Sequence, residues 1–173
     1  IKYIQDEAHY SEVIEKVASV KKSLWIGTAD IKDLHVKSGN SSEPFLGILA
    51  ELLKKGVEVR LIHAKEPGPI FREEFDRYPV LAKRLERALC PRVHFKMMIF
   101  DLDEVYIGSA NLTGAGIGMK SAKTRNFEAG ILTNDDIPKD ITRILGHDHR
   151  DRINTLVTDA IRTSREAGTV MLS

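Results

Sequence analysis

Residues 94–111 read HFKMMIFDLDEVYIGSAN: two short apolar runs carrying polar residues, parted by the turn-like Leu102-Asp103-Glu104. Side chains two apart on a strand share a face. A strand over 93–100 therefore projects His94 and Lys96 together and turns Phe95 and Met97 into a core. A second strand over 105–109 brings Ser109 and Asn111 to its end, also on one side. The turn sets the two strands side by side, so two polar pairs converge on one spot.

That set suits phosphate chemistry. A neutral imidazole is a competent nucleophile near neutral pH. Lys96 supplies a point charge, and the Asn111 amide and Ser109 hydroxyl supply neutral donors to phosphoryl oxygens. The stretch has no cluster of carboxylates of the kind that two-metal nucleases use, so neither a metal nor a cofactor is expected. A single His or Lys on a strand is ordinarily a surface residue. Six specified residues at fixed spacing, interleaved with apolar strand positions, are what lift this stretch above that reading.

Outward from the motif, 6–20 reads as an amphipathic helix, with Tyr10, Val13, Ile14, Val17 and Ala18 at helical spacing. Ser23 to Gly27 reads as a buried strand, followed by a polar loop. A helix is expected from Phe45 to Leu53, with Ser42 as its cap, Pro44 in its first turn and Gly56 past its end. Strands are expected over 57–63 and 127–132, and helices over 71–89 (broken at Pro79) and over 136–167. This order predicts an α/β fold, a mixed β-sheet flanked by helices, in one catalytic domain over 1–173.

The spacing H-x-K-x(4)-D-x(6)-G-S-x-N resembles the signature of the phospholipase D superfamily, without a departure between His94 and Asn111. The resemblance implies a phospholipase D-like fold and a phosphodiesterase that passes through a phosphohistidine on His94. Lys96 and Asn111 would bind the phosphate, Ser109 would assist, and Asp101 would be a supporting residue. The family also places an acidic residue after the motif to hold the nucleophilic imidazole by its second nitrogen. Glu128 is the candidate, because a carboxylate acceptor fixes the tautomer. The chain carries one copy of the motif, and His9, His35, His63, His147 and His149 lack a lysine two places later. Superfamily members with a single motif resemble small bacterial nucleases that pair about the active site, so a C2 homodimer sharing one composite site is expected; the alternative is a second motif on a removed portion of a longer protein.

Net charge is +1, so attraction for a polyanion must be local. Between 83 and 125 eight Lys/Arg face four Asp/Glu, and Lys120, Lys123 and Arg125 are candidate substrate contacts. Gly114 to Gly118 reads as a flexible turn beside the site, His147 and His149 as an exposed junction, and His63 as either core or pocket border. The single Cys90 excludes an internal disulfide. No segment reaches the about eighteen apolar residues of a membrane span, so no integral membrane association is expected. Localisation stays open with a soluble, cytoplasmic protein favoured, since a chain beginning at Ile1 could have lost a leader. Nucleic acid is the expected substrate; a lipid phosphodiester, turned over by a phospholipase or phosphatidyl transferase, is the alternative.

Overall fold

The computed structural model describes residues 1–32, 34–38 and 41–134. The helix expected over 136–167, with His147 and His149, lies outside the described residues. Nine strands form in chain order: β1 (Lys2–Gln5), β2 (Ser23–Thr28), β3 (His35–Ser38), β4 (Ser41–Pro44), β5 (Glu58–His63), β6 (Glu86–Leu89), β7 (Lys96–Phe100), β8 (Glu104–Gly108) and β9 (Ala129–Thr133). The α-helices are α1 (Phe45–Lys54), α2 (Pro69–Asp76) and α3 (Pro79–Arg84). Seven strands make one mixed sheet in the order β1-β9-β8-β7-β2-β5-β6, and β3 with β4 forms a separate hairpin. The strands β2, β5 and β6 are parallel, whereas β7 runs antiparallel to both β2 and β8.

The strand alternation divides the apolar residues between two layers. On one face Leu24, Ile26, Leu61, Met98, Phe100, Tyr106 and Leu132 pack against α1 through Phe45, Leu46 and Leu49, and against Val13, Ile14 and Val17. Trp25, Ile62, Ala88, Val93, Ile99 and Val105 make a smaller cluster on the other face. This is the mixed sheet with flanking helices that the element order predicts. No helix among the described residues is long and apolar enough to cross a membrane.

Local readings depart from expectation where pairing overrides propensity. The expected helix over 6–20 is a π turn (Tyr10–Ile14) followed by a 3₁₀ turn (Glu15–Ser19). The expected helix end over 86–89 is instead the edge strand β6, because Leu85 turns extended and Leu61 pairs with Arg87. The expected polar loop after β2 holds the hairpin of β3 and β4. Ser42 belongs to β4 and does not cap α1, which has no side-chain cap. Strand β1 carries no long periodic run and reveals itself only through its pairing with β9.

The β7–β8 hairpin explains Asp101. Asp101 and Leu102 both have positive φ (54° and 58°), and Asp103 donates its N–H to the Phe100 carbonyl at 3.0 Å, the geometry of a type I′ turn. An aspartate tolerates this region better than most residues. Its carboxylate also accepts the backbone N–H groups of Lys21 (3.1 Å), Lys22 (2.6 Å) and Ser23 (3.1 Å) at the entry to β2. Partial burial pushes the carboxyl pKa up, but these backbone donors outweigh it and hold the pKa below the usual range. Asp101 is therefore a pin between β2 and β7 at the end remote from His94 and Lys96. Its support for the site is architectural and reaches no substrate.

A carboxyl whose pKa is lowered by folding stabilises the fold above its unfolded value, near 3.9, and loses that contribution as pH falls through the folded value. Asp101→Asn should cost about 1 kcal/mol at neutral pH. It should also flatten the loss of stability below about pH 4, as measured by thermal unfolding across pH. An unchanged acid limb would remove Asp101 from this role.

Candidate active site

The site lies at one end of the sheet, where β2 and β8 finish and β7 begins. Lys96 opens β7 opposite Gly108, and the next residue, Met97, pairs with Gly27 of β2. His94 stands two residues before β7, outside the strand, with its imidazole exposed and no hydrogen-bond partner among the described residues. The half-buried Lys96 turns its ammonium back to the His94 carbonyl at 2.9 Å, which leaves further N–H donors for an anion. Phe95, expected in the core, is 41% exposed. Its ring lies across Gly27, where a Cβ would come within 2.0 Å of it. Gly27 thus makes room for an aromatic ring beside the site.

The glycine of the motif has a similar cause. A Cβ on Gly108 would fall 2.2 Å from the Tyr106 hydroxyl and 2.8 Å from the Ala129 carbonyl. The Tyr106 ring also fills the space above Gly130. Burial raises the Tyr106 phenol pKa, and the Glu128 carboxylate adds to the rise, so the hydroxyl stays protonated.

Past β8 the two remaining motif side chains separate in role. Ser109 donates its hydroxyl to the Glu128 carboxylate in a very short hydrogen bond and accepts the Ala129 N–H at 3.1 Å. In this arrangement the Ser109 hydroxyl ties the end of β8 to the start of β9. Glu128 is correspondingly occupied by Ser109 and by the Asn126 amide (3.0 Å), rather than by the His94 imidazole as expected. Asn111 accepts the Asp30 N–H through Oδ1 at 3.1 Å, which commits the oxygen and leaves the amide NH₂ as the donor end. Its loop is joined to the segment after β2 by Lys32 N–H to the Leu112 carbonyl (3.0 Å) and a bridge between Ile31 and Leu112.

The glycine-rich turn is closely packed. A Cβ on Gly116 would approach the Asn111 carbonyl to 2.5 Å, and Gly118 has a φ of 78° where a Cβ would fall 2.5 Å from the Glu7 Cα. Of the candidate substrate contacts, Lys120 and Lys123 are exposed, while Arg125 is ion-paired to Glu7. Among the described residues no group of three His, Cys, Asp or Glu is placed to hold a metal. The structure therefore gathers Lys96 and Asn111 at the end of the central strands with His94 beside Lys96, sets Ser109 and Glu128 behind them, and leaves Asp101 at the opposite end.

A mixed sheet presenting His, Lys and Asn from adjoining strand ends defines a phospholipase D-like domain. The chain belongs to that family: the model described as "Cardiolipin synthase, PLD-like domain" matches residues 13–148. Solved structures agree on the fold. NucT from Helicobacter pylori superposes with a TM-score of 0.59 at 12% identity, covering 93% of this chain and 97% of its own. Nuc from Salmonella typhimurium, a phospholipase D family member, gives 0.54 at 20% identity, covering 88% and 93%. The archaeal chromatin protein TrmBL2 gives 0.50 at 13% identity over 89% of this chain and 52% of its own. A deoxyguanosinetriphosphate triphosphohydrolase-like protein of Clostridium tetani (strain Massachusetts / E88) is 46% identical over 41 residues, 24% of this chain. The chain spans only 12% of that relative's length.

His63, left open by the sequence, is core. It is fully buried at the end of β5, donating from Nδ1 to the Lys65 carbonyl (2.8 Å) and accepting from Arg87 Nε at Nε2 (3.0 Å). Arg87 is itself buried, with its guanidinium over Phe71 and Phe75 at 5.4 and 5.1 Å. Burial, aided by the Arg87 charge, pushes the His63 pKa down to about 4. Since the unfolded imidazole takes its proton near 6.5, the fold keeps this contribution above that pH and loses it as pH falls towards 4. The loss should be on the order of 3 kcal/mol, from about 2.5 pKa units at about 1.4 kcal/mol each. Thermal unfolding between pH 7 and 4 should show this slope in the wild type and a much shallower one in His63→Gln.

Proposed function

We propose that the chain is a phosphodiesterase that cleaves nucleic acid through a covalent bond to His94 and needs no metal. The observation that carries this reading is the placement of Lys96 and Asn111 at one end of the central strands next to the exposed His94. An imidazole nitrogen of His94 attacks phosphorus, the new N–P bond forms, and the P–O bond to the leaving oxygen breaks. Negative charge grows on the non-bridging oxygens, where Lys96 and the Asn111 NH₂ supply fixed donors. The exposed Lys120 and Lys123 lie on the chain that follows Asn111 and are offered as backbone contacts for a polyanion. Arg125, tied to Glu7, takes at most an indirect part. Ser109 and Glu128 hold the ends of β8 and β9 beneath this set.

The leaving oxygen needs a proton, and the water that later breaks the N–P bond must lose one. The motif supplies one histidine per chain, so the second is assigned to His94 of another copy in a C2 dimer, with 1–173 acting as one catalytic unit. Nuclease action is preferred over lipid turnover because exposed cations, Lys120 and Lys123, follow Asn111 beside the site.

His94→Ala should lose at least a thousandfold in activity on labelled DNA or RNA. The wild type should keep full rate in EDTA, and a rapid alkaline denaturing quench should trap substrate on His94. Loss of cleavage in EDTA would overturn the metal-free mechanism. Turnover of phosphatidylcholine or phosphatidylglycerol without nucleic-acid cleavage would replace the substrate. Mixing excess His94→Ala chains with wild type should suppress activity far below dilution. Full activity in a strictly monomeric preparation would refute the shared site.

A further inference from the structure

Thr28, the last residue of β2, is 1% exposed and lies outside the motif. Its hydroxyl donates to the Asp30 carbonyl at 2.8 Å and accepts the Leu112 N–H at 3.3 Å. It also lies 3.4 Å from the Oδ1 of Asn111. One hydroxyl therefore clasps the residues on both sides of the Asn111–Asp30 contact. On one side it fixes the peptide of Asp30, whose N–H holds the Asn111 Oδ1 at 3.1 Å. On the other it fixes Leu112, the residue after Asn111, which is 3% exposed and cannot turn to water for a substitute partner.

An asparagine amide has two ends of similar shape and opposite chemistry. Presented to a phosphoryl group by its oxygen, it would repel the charge that builds during attack; presented by its NH₂, it donates. Asp30 N–H settles the choice by binding Oδ1, and that N–H points at Asn111 only while the turn 28–30 keeps its shape. Asp30 adds a reason for the clasp. Its carboxylate is a neighbour of the site and is held by Lys65 at 3.6 Å, so a loosened turn would release a negative charge towards the phosphate.

We propose that Thr28 is the positioning residue that fixes Asn111 with its amide NH₂ towards the substrate phosphate, acting through the backbone of Asp30 and Leu112. This deepens the phosphodiesterase reading and rests on it for its kinetic arm alone. Thr28 touches no substrate, so its effect is felt through Asn111. A donor shifted by about an ångström weakens transition-state binding more than ground-state binding.

The test uses Thr28→Val, which removes the hydroxyl at nearly constant volume, and Thr28→Ser, which keeps it. On a phosphodiester substrate Thr28→Val should lose on the order of 10- to 100-fold in kcat/KM, mostly in kcat, and Thr28→Ser should stay within about threefold of wild type. In an Asn111→Ala background Thr28→Val should cost less than about twofold, because its route to the substrate is already gone. Full additivity of the two substitutions, or an unaffected folded Thr28→Val, would overturn the proposal. The second readout needs no turnover: the side-chain NH₂ resonances of Asn111, assigned by their loss in Asn111→Ala, followed as inorganic phosphate is added. They should shift in wild type and Thr28→Ser and stay still in Thr28→Val. Should Thr28→Val fail to fold, the first two proteins still decide, since an Asn111 amide indifferent to phosphate in the wild type refutes the assignment. Phosphate-dependent shifts without phosphodiester cleavage would sink the catalytic reading and leave the positioning role of Thr28 standing.

Discussion

Strand β7 is hydrogen-bonded along both edges, to β2 and to β8, and its register decides which side chains meet at the site. With Met97 opposite Gly27 and Lys96 opposite Gly108, the residues following β2 and β8 fall at the same end of the sheet as those preceding β7. A slip of one residue in either pairing would send Lys96 to the other face and Met98 out of the larger cluster. The register is pinned at its far end by the I′ turn and by the Asp101 carboxylate, which ties the hairpin to the entry of β2. The motif aspartate thus fixes the register of β7 from the end remote from His94 and Lys96. It stands at the wrong end of β7 to do more.

Much of this was legible in residues 94–111, because alternation over paired strands is a strong signal and the turn between them is short. The convergence of Lys96 with Asn111 follows from those alone. What the motif could not disclose are partnerships with distant segments. Nothing in the local sequence tells that Thr28 and Asp30 grip Asn111, that Ser109 gives its proton to Glu128, or that Phe95 rests on Gly27. Each depends on strand order across the sheet, which sequence periodicity leaves undetermined. Strand β6 is hidden in the sequence for a related reason: Glu86 to Leu89 can serve helix or strand, and pairing with β5 decides.

The glycines illustrate how the site is built by close approach. Gly27, Gly108 and Gly116 each stand where a Cβ would strike a ring, a hydroxyl or a carbonyl. In the first two cases an aromatic side chain occupies the space, so the sheet end becomes a thin, well-packed shelf. Gly116 lets the glycine-rich turn lie directly against Asn111. The backbone around the candidate phosphate donors is thereby supported from beneath by packing, which costs no flexible side chain its freedom.

Charge is managed with similar economy. The local excess of cations counted in the sequence shrinks once partners are known: Arg87 is buried against His63, and Arg125 pairs with Glu7. Little long-range field is left from these residues, so under the proposed function attraction to a polyanion would act at short range, through Lys96, the Asn111 amide and the exposed Lys120 and Lys123. Short-range donors are useful only when aimed. In that reading the neutral Asn111 is aimed by the Asp30 N–H and the buried Thr28, whereas Lys120 and Lys123 are exposed.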